Sequence, residues 1–127
     1  MSDTVTSGIR VHVAPQFWEE RSMPEKSQWA FSYTVTITNE GASPATLRRR
    51  HWVITDATGH VEEVRGEGVV GKQPRLEAGA SFEYTSYAVL RTPFGSMRGE
   101  YVFERTDGST FESAIGEFAL TQPHALH

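Results

Sequence analysis

The sequence contains no cysteine. That absence excludes disulfides, thiolate metal centres and thiol catalysis, and it fits a reducing compartment. Long apolar runs are missing too. The longest is a few residues, far short of a membrane span. Met1-Ser2-Asp3-Thr4 shows no basic region leading into an apolar run, so no signal peptide is expected. Nor is there an excess of positive charge: 12 basic residues stand against 16 acidic ones, a formal charge of −4. Nucleic acid calls for a basic surface, so it is not expected as a partner. Repeats and low-complexity tracts are also absent. A soluble, cytoplasmic protein with no membrane partner is expected.

Helical periodicity is the next thing lacking. The apolar residues alternate instead. In Trp29-Ala30-Phe31-Ser32-Tyr33-Thr34-Val35-Thr36-Ile37-Thr38-Asn39 every second side chain is large and apolar, and the other face is Ala, Ser and Thr. Period two over this length predicts a strand. Weaker versions recur at Ile9–Val13, Ala45–Thr55, His60–Arg65, Ser81–Leu90 and Met97–Thr106. In the second of these, Arg48, Arg50, Trp52 and Ile54 are expected on one face, with Leu47, His51 and Val53 on the other. The last strand carries Phe111, Ser113 and Ile115 on one face, whereas Phe118 and Leu120 fall out of phase by one. That predicts a bulge near Gly116. Turn signals separate the strands: Asn39–Pro44, Asp56-Ala57-Thr58-Gly59 and Thr106-Asp107-Gly108-Ser109. Phe17 and Trp18 are sequential, so one of them is expected to be exposed.

About seven strands with regular turn signals predict an all-β, immunoglobulin-like or fibronectin type III-like sandwich of antiparallel strands. The length predicts one domain, 1–127, with an ordered core at about 8–121 and a loose tail after Thr121. Trp52 resembles the core tryptophan of such sandwiches. Without cysteines beside it, the fibronectin type III-like variant fits better, and Tyr101 is a candidate tyrosine corner.

Gly66, Gly68 and Gly71 spell GxGxxG within Gly66-Glu67-Gly68-Val69-Val70-Gly71-Lys72-Gln73-Pro74. In a dinucleotide-binding domain this spacing ends a strand and opens a helix whose N-terminus holds the pyrophosphate. Here Pro74 follows within three residues, no amphipathic repeat comes after it, and no acidic residue stands near Val89–Arg91 to hold a ribose. Lys72 is not followed by Ser or Thr, so a P-loop is excluded too. Gly66, Gly68, Val69, Val70, Gly71 and Lys72 therefore form a candidate anion or recognition loop, with any nucleotide binding weak. The histidines (His12, His51, His60, His124 and His127) form no HxH, HxxxH or HExxH pair, so no metal site is assigned. His60 with Glu62 would hold a divalent ion only weakly. No nucleophile elbow or paired-carboxylate motif is present, so no catalytic residue and no cofactor are assigned.

Several stretches together resemble the ApaG family: Tyr33–Asn39, Arg50-His51-Trp52-Val53-Ile54-Thr55-Asp56, Gly66–Pro74, Phe82–Ser86 and Pro93–Tyr101. The resemblance covers nearly the whole chain. It departs at Tyr87, where a small residue is usual, and near Gly116, where a proline is expected. It implies a fibronectin type III-like sandwich and an association with cobalt and magnesium efflux or tolerance. Family members also occur as domains of F-box and polymerase-interacting proteins, which work by binding other proteins. The function expected is a non-catalytic module for protein–protein interaction, with the 66–75 and 92–96 loops and an exposed aromatic among Phe17, Trp18 and Phe94 as contact points. The alternative is a phosphate- or nucleotide-binding regulator using the Gly66–Gly71 loop.

Overall fold

A computed structural model describes residues 1–123. His124 and His127, and most of the tail expected to be loose, lie outside the described residues. Nine strands run through them: β1 (Ser2–Thr6), β2 (Ile9–Phe17), β3 (Trp29–Asn39), β4 (Ala45–Asp56), β5 (Val61–Glu67), β6 (Arg75–Leu76), β7 (Ser81–Leu90), β8 (Phe94–Arg105) and β9 (Thr110–Thr121). Two single-turn 3₁₀ segments, Glu19–Arg21 and Pro24–Lys26, join β2 to β3. One sheet has the order β1-β2-β3-β7 and the other β5-β4-β8-β9, with β6 also on β4. All pairings are antiparallel. The fold is the expected β-sandwich.

The alternating residues of β3 explain why the sheets pack. Phe31, Tyr33, Val35 and Ile37 are buried, and they meet Trp52, Tyr101, Phe103, Phe118 and Leu120 from the facing sheet. Trp52 lies at the centre. Its ring is 5.2 Å from Tyr33, 5.9 Å from Phe118 and 6.4 Å from Tyr101, the last two edge-on. Edge-to-face and tilted arrangements suit the ring quadrupoles. Tyr101 is fully buried, but its hydroxyl meets that of Tyr84 across the sheets. The expected tyrosine corner, which needs a bond to nearby upstream backbone, is replaced by this phenol pair.

Two bulges set the side-chain phase. In β9, Gly116 and Glu117 together oppose the single residue Arg98, and Ile115 and Phe118 are thereby both turned inward. This is the bulge expected from the out-of-phase apolar residues. In β4 the extra residue is Arg48, between the pairs Leu47–Phe103 and Arg49–Val102. It corrects one expectation. Leu47 joins Trp52 on the core face instead of sharing the outer face with His51 and Val53.

The N-terminal residues extend the expected core of about 8–121. Strand β1 pairs along β2, and its Thr4 and Ser2 lie over Gly116, where a Cβ would come within 2.4 Å of the Thr4 hydroxyl. Thr6 Oγ1 accepts a hydrogen bond from the Ala114 amide at 3.3 Å. These contacts close the sandwich along β1 and β9. The opposite side stays open between two edge strands, β7 and β5. Of Phe17 and Trp18, Phe17 packs edge-on against Phe31 at 5.5 Å. Trp18 instead meets the exposed Tyr87 on the outer face, 6.1 Å away, with the Arg21 guanidinium 5.4 Å from its ring.

Candidate functional site

Residues 68–74 are a detour in an edge strand. Strand β5 pairs with β4 from Thr55 down to Arg49, and β6 resumes on the same strand at Thr46 and Ala45. Between them the chain swings away opposite the Arg48 bulge. Its return is fixed by the Gly68 amide, which donates to the Arg48 carbonyl at 2.8 Å, and by the Leu47 amide, which donates to the Pro74 carbonyl at 3.0 Å. The Arg48 side chain reaches Gln73 Oε1 at 3.0 Å and Glu104 at 2.9 Å.

Gly66 belongs to β5 itself, paired with Arg50. A Cβ there would lie 2.6–2.8 Å from the Arg50 guanidinium. Only a glycine lets that planar group lie against the backbone. Arg50 Nη1 then donates to the carbonyls of Glu67 and Gly68, each at 2.9 Å. Gly68 has φ +61°, and a Cβ would lie 2.2 Å from the Lys72 carbonyl oxygen. Val69 drops into the core at 1% exposure. Val70 and Gly71 turn the chain back, and Val69 and Lys72 exchange both backbone hydrogen bonds, at 2.8 and 2.9 Å. The two central residues have φ +44° and +78°, as a type I′ turn requires.

The expected loop residues therefore divide by role. Gly66, Gly68 and Val69 are structural, and Val69 is not available as a recognition residue. Val70, Gly71 and Lys72 face outward. A phosphate nest needs convergent free amides. Those of Gly68, Val69 and Lys72 donate within the chain, and two loop carbonyls point at Arg50. The stretch closes as a clasp on a guanidinium.

Val70 carries strain. A β-branched residue at positive φ is an outlier worth about 1–3 kcal/mol, and its side chain is 53% exposed. Asparagine tolerates this conformation. Val70→Asn is expected to raise stability by about 1 kcal/mol, read as a higher melting temperature. An unchanged melting temperature would mean that the turn is unstrained.

The clasp walls a pocket of about 300 Å³ with Tyr33, Arg50, Trp52, Tyr84 and Ser86. Burial pushes the Tyr33, Tyr84 and Tyr101 phenols up, and the positive charge of Arg50 opposes this at all three. The phenols are neutral at physiological pH.

On the outer face of the same strands, His51 sits between two carboxylates. Nδ1 is 2.5 Å from Glu100 and Nε2 is 2.8 Å from Glu63. These partners, Glu100 foremost, raise the His51 pKa above its ordinary 6.5, and His51 lowers that of Glu63 below 4.5. A raised histidine pKa adds stability that is complete below 6.5 and lost as pH rises through the folded value. The lowered Glu63 value adds stability lost as pH falls through it. The stability gap between the wild type and His51→Gln is therefore expected to be widest between these limits, at mildly acidic pH. Thermal melts across pH 4–8 would show it; a gap independent of pH would remove the ion pairs. Among the described residues, no three His, Asp or Glu side chains converge as metal ligands, and His60 and Glu62 find no third partner. No helix of the described residues is long and apolar enough to cross a membrane.

The ApaG domain family matches residues 19–105, which take in β3 to β8 and the whole clasp. This chain belongs to the ApaG family. It is 54% identical to the ApaG protein of Ralstonia nicotianae over 119 residues, 94% of this chain and 96% of that one. With the ApaG protein of Dechloromonas aromatica it shares 52% identity over the full length of both. A crystal structure described as an ApaA protein from Bordetella pertussis superposes with a TM-score of 0.87, at 48% identity and 96% coverage of each chain.

The two stretches most specific to the ApaG resemblance, Arg50–Asp56 and Gly66–Pro74, thus meet in space through Arg50. Alternation along the strand places Arg50 on one face with Trp52 and names no partner for it. Its actual partners are backbone carbonyls, which no side-chain pattern announces. The signal available was the bulk-free Gly66, four residues before the turn.

Proposed function

We propose that this ApaG-family chain is a non-catalytic, cytoplasmic interaction module that binds an extended segment of a protein partner along β7. The observation that carries the reading is the state of that edge. Strand β7 is ten residues long and ends its sheet, with no strand beyond it among the described residues. Its one charged residue is Glu83, and Tyr87 and Val89 are exposed, Tyr87 at 64%. Natural edges are usually blunted by charge, bulges or shortness. The other open edge, β5, follows that rule with Glu62, Glu63, Arg65 and Glu67. An unblunted edge is suited to accepting a strand. The half-buried Trp18 beside Tyr87 and the outward Val70 flank it, and an exposed aromatic such as Tyr87 serves as an interface anchor. The association with metal efflux that the resemblance implies fits a module of this kind acting through its partner.

Photo-crosslinkers placed singly at Tyr87, Val89 and Glu112 in cells test the reading. The same partner is expected from Tyr87 and Val89 and not from Glu112 on β9. Equal capture from all three positions, or none from β7, would count against it.

A further inference from the structure

We infer that the Arg50 pocket is a carboxylate-binding site, and that the carboxylate is a side chain of the strand added to β7. This rests on the interaction reading above and names the specificity determinant within it. Arg50 is partly buried at the open side of the sandwich, yet among the described residues no carboxylate pairs with it. Arg10, Arg48, Arg65 and Arg75 each have such a partner. Only Nη1 is engaged, by the Glu67 and Gly68 carbonyls. Those two bonds and the flat contact with Gly66 hold the plane of the guanidinium in place. The Nε–Nη2 edge keeps two parallel donors with no acceptor among the described residues. That edge matches a carboxylate bidentately.

The rest of the pocket selects a single negative charge. Besides Arg50 it is lined by Tyr33, Trp52, Tyr84 and Ser86, with no second guanidinium. Glu67 lines it as well, which penalises a dianion such as phosphate. The source follows from placement. Tyr84 and Ser86 are alternate, inward-facing residues of β7, and both line the pocket. In a strand paired beyond β7, the inward side chains continue that row. One of them arrives at the pocket mouth. A free small anion lacks this alignment, and it approaches a chain of net charge −4.

A display selection of random linear peptides on the intact protein tests the inference. Selected peptides are expected to shift β7 amide resonances and to share one Asp or Glu at a fixed position. Exchanging that residue for its amide should weaken binding about 10- to 100-fold, the scale of a lost charge-assisted pair. It should also leave the Arg50 Nε–H resonance unmoved. This comparison needs no protein variant. In Arg50→Lys, whose fold is checked by its β-sheet amide shifts, the acid-over-amide preference should shrink, because the fork is gone. Peptides that bind β7 with no acidic preference would overturn the carboxylate site and leave the edge reading intact. A selection yielding no β7 binder would overturn both. Acetate alone shifting Arg50 Nε–H as strongly as the peptides would make a free small acid the ligand and overturn the peptide source.

Discussion

Gly68→Ala is expected to cost about 2–4 kcal/mol of stability, lowering the melting temperature by roughly 10 °C. Two effects add. The backbone at φ +61° is disfavoured for a residue with a Cβ, and that Cβ would stand 2.2 Å from the Lys72 carbonyl oxygen. Backbone cannot move aside as a flexible side chain can. Either the Val69–Lys72 turn opens or Gly68 loses its hydrogen bond to Arg48, and each route releases Val69 from the core. Gly71→Ala is the internal control. It has φ +78°, yet nothing lies within 4 Å of its Cβ position. Its cost should be the backbone preference alone, about 1 kcal/mol. Calorimetry on both variants separates the two effects. Equal losses would mean that the loop relaxes freely and closes no clasp.

Trp52→Ala is expected to cost about 3–5 kcal/mol, as large-to-small changes in packed cores do. The ring is 3% exposed, and three aromatic neighbours from both sheets surround it. A cavity there cannot be filled from one side without shifting the other sheet. Trp18, on the outer face against Tyr87, is the contrast, and its removal should cost under about 1 kcal/mol. Urea unfolding followed by sheet circular dichroism measures both. A loss below about 1 kcal/mol for Trp52→Ala would contradict the central place assigned to this ring.

The strands with unbroken alternation were fully legible. Trp29–Asn39 and Ser81–Leu90 have the limits that the apolar spacing predicts. So was the β9 bulge, because Phe118 and Leu120 lie on the same strand as the residues whose phase they break. The β4 bulge was not. Its evidence is the partner strand: Leu47 and Trp52 both need to face Phe103 and Tyr101, and five-residue spacing on one strand gives no hint of that. Strand β1 carries little apolar pattern of its own, and its order comes from pairing with β2 and contact with β9. Val69 and Arg50 were hidden for a related reason. One is a core residue supplied by a turn, and the other is a cation whose partners are main-chain oxygens. The spacing alone spells a GxGxxG phosphate cradle, against which Pro74 and the missing helical repeat already argue. Each glycine is instead explained by what it lets approach: a guanidinium at Gly66, a carbonyl at Gly68, and a positive φ at Gly71.

The clasp is tested most directly by following the backbone amides of residues 66–72 while pyrophosphate is added to millimolar concentration. With the Gly68, Val69 and Lys72 amides committed to Arg48, Lys72 and Val69 carbonyls, their resonances should not move beyond the bulk effect of added salt, and their hydrogen exchange should stay slow. A saturable shift at those three amides, with faster exchange before pyrophosphate is added, would contradict the clasp and restore the glycine stretch as an anion cradle.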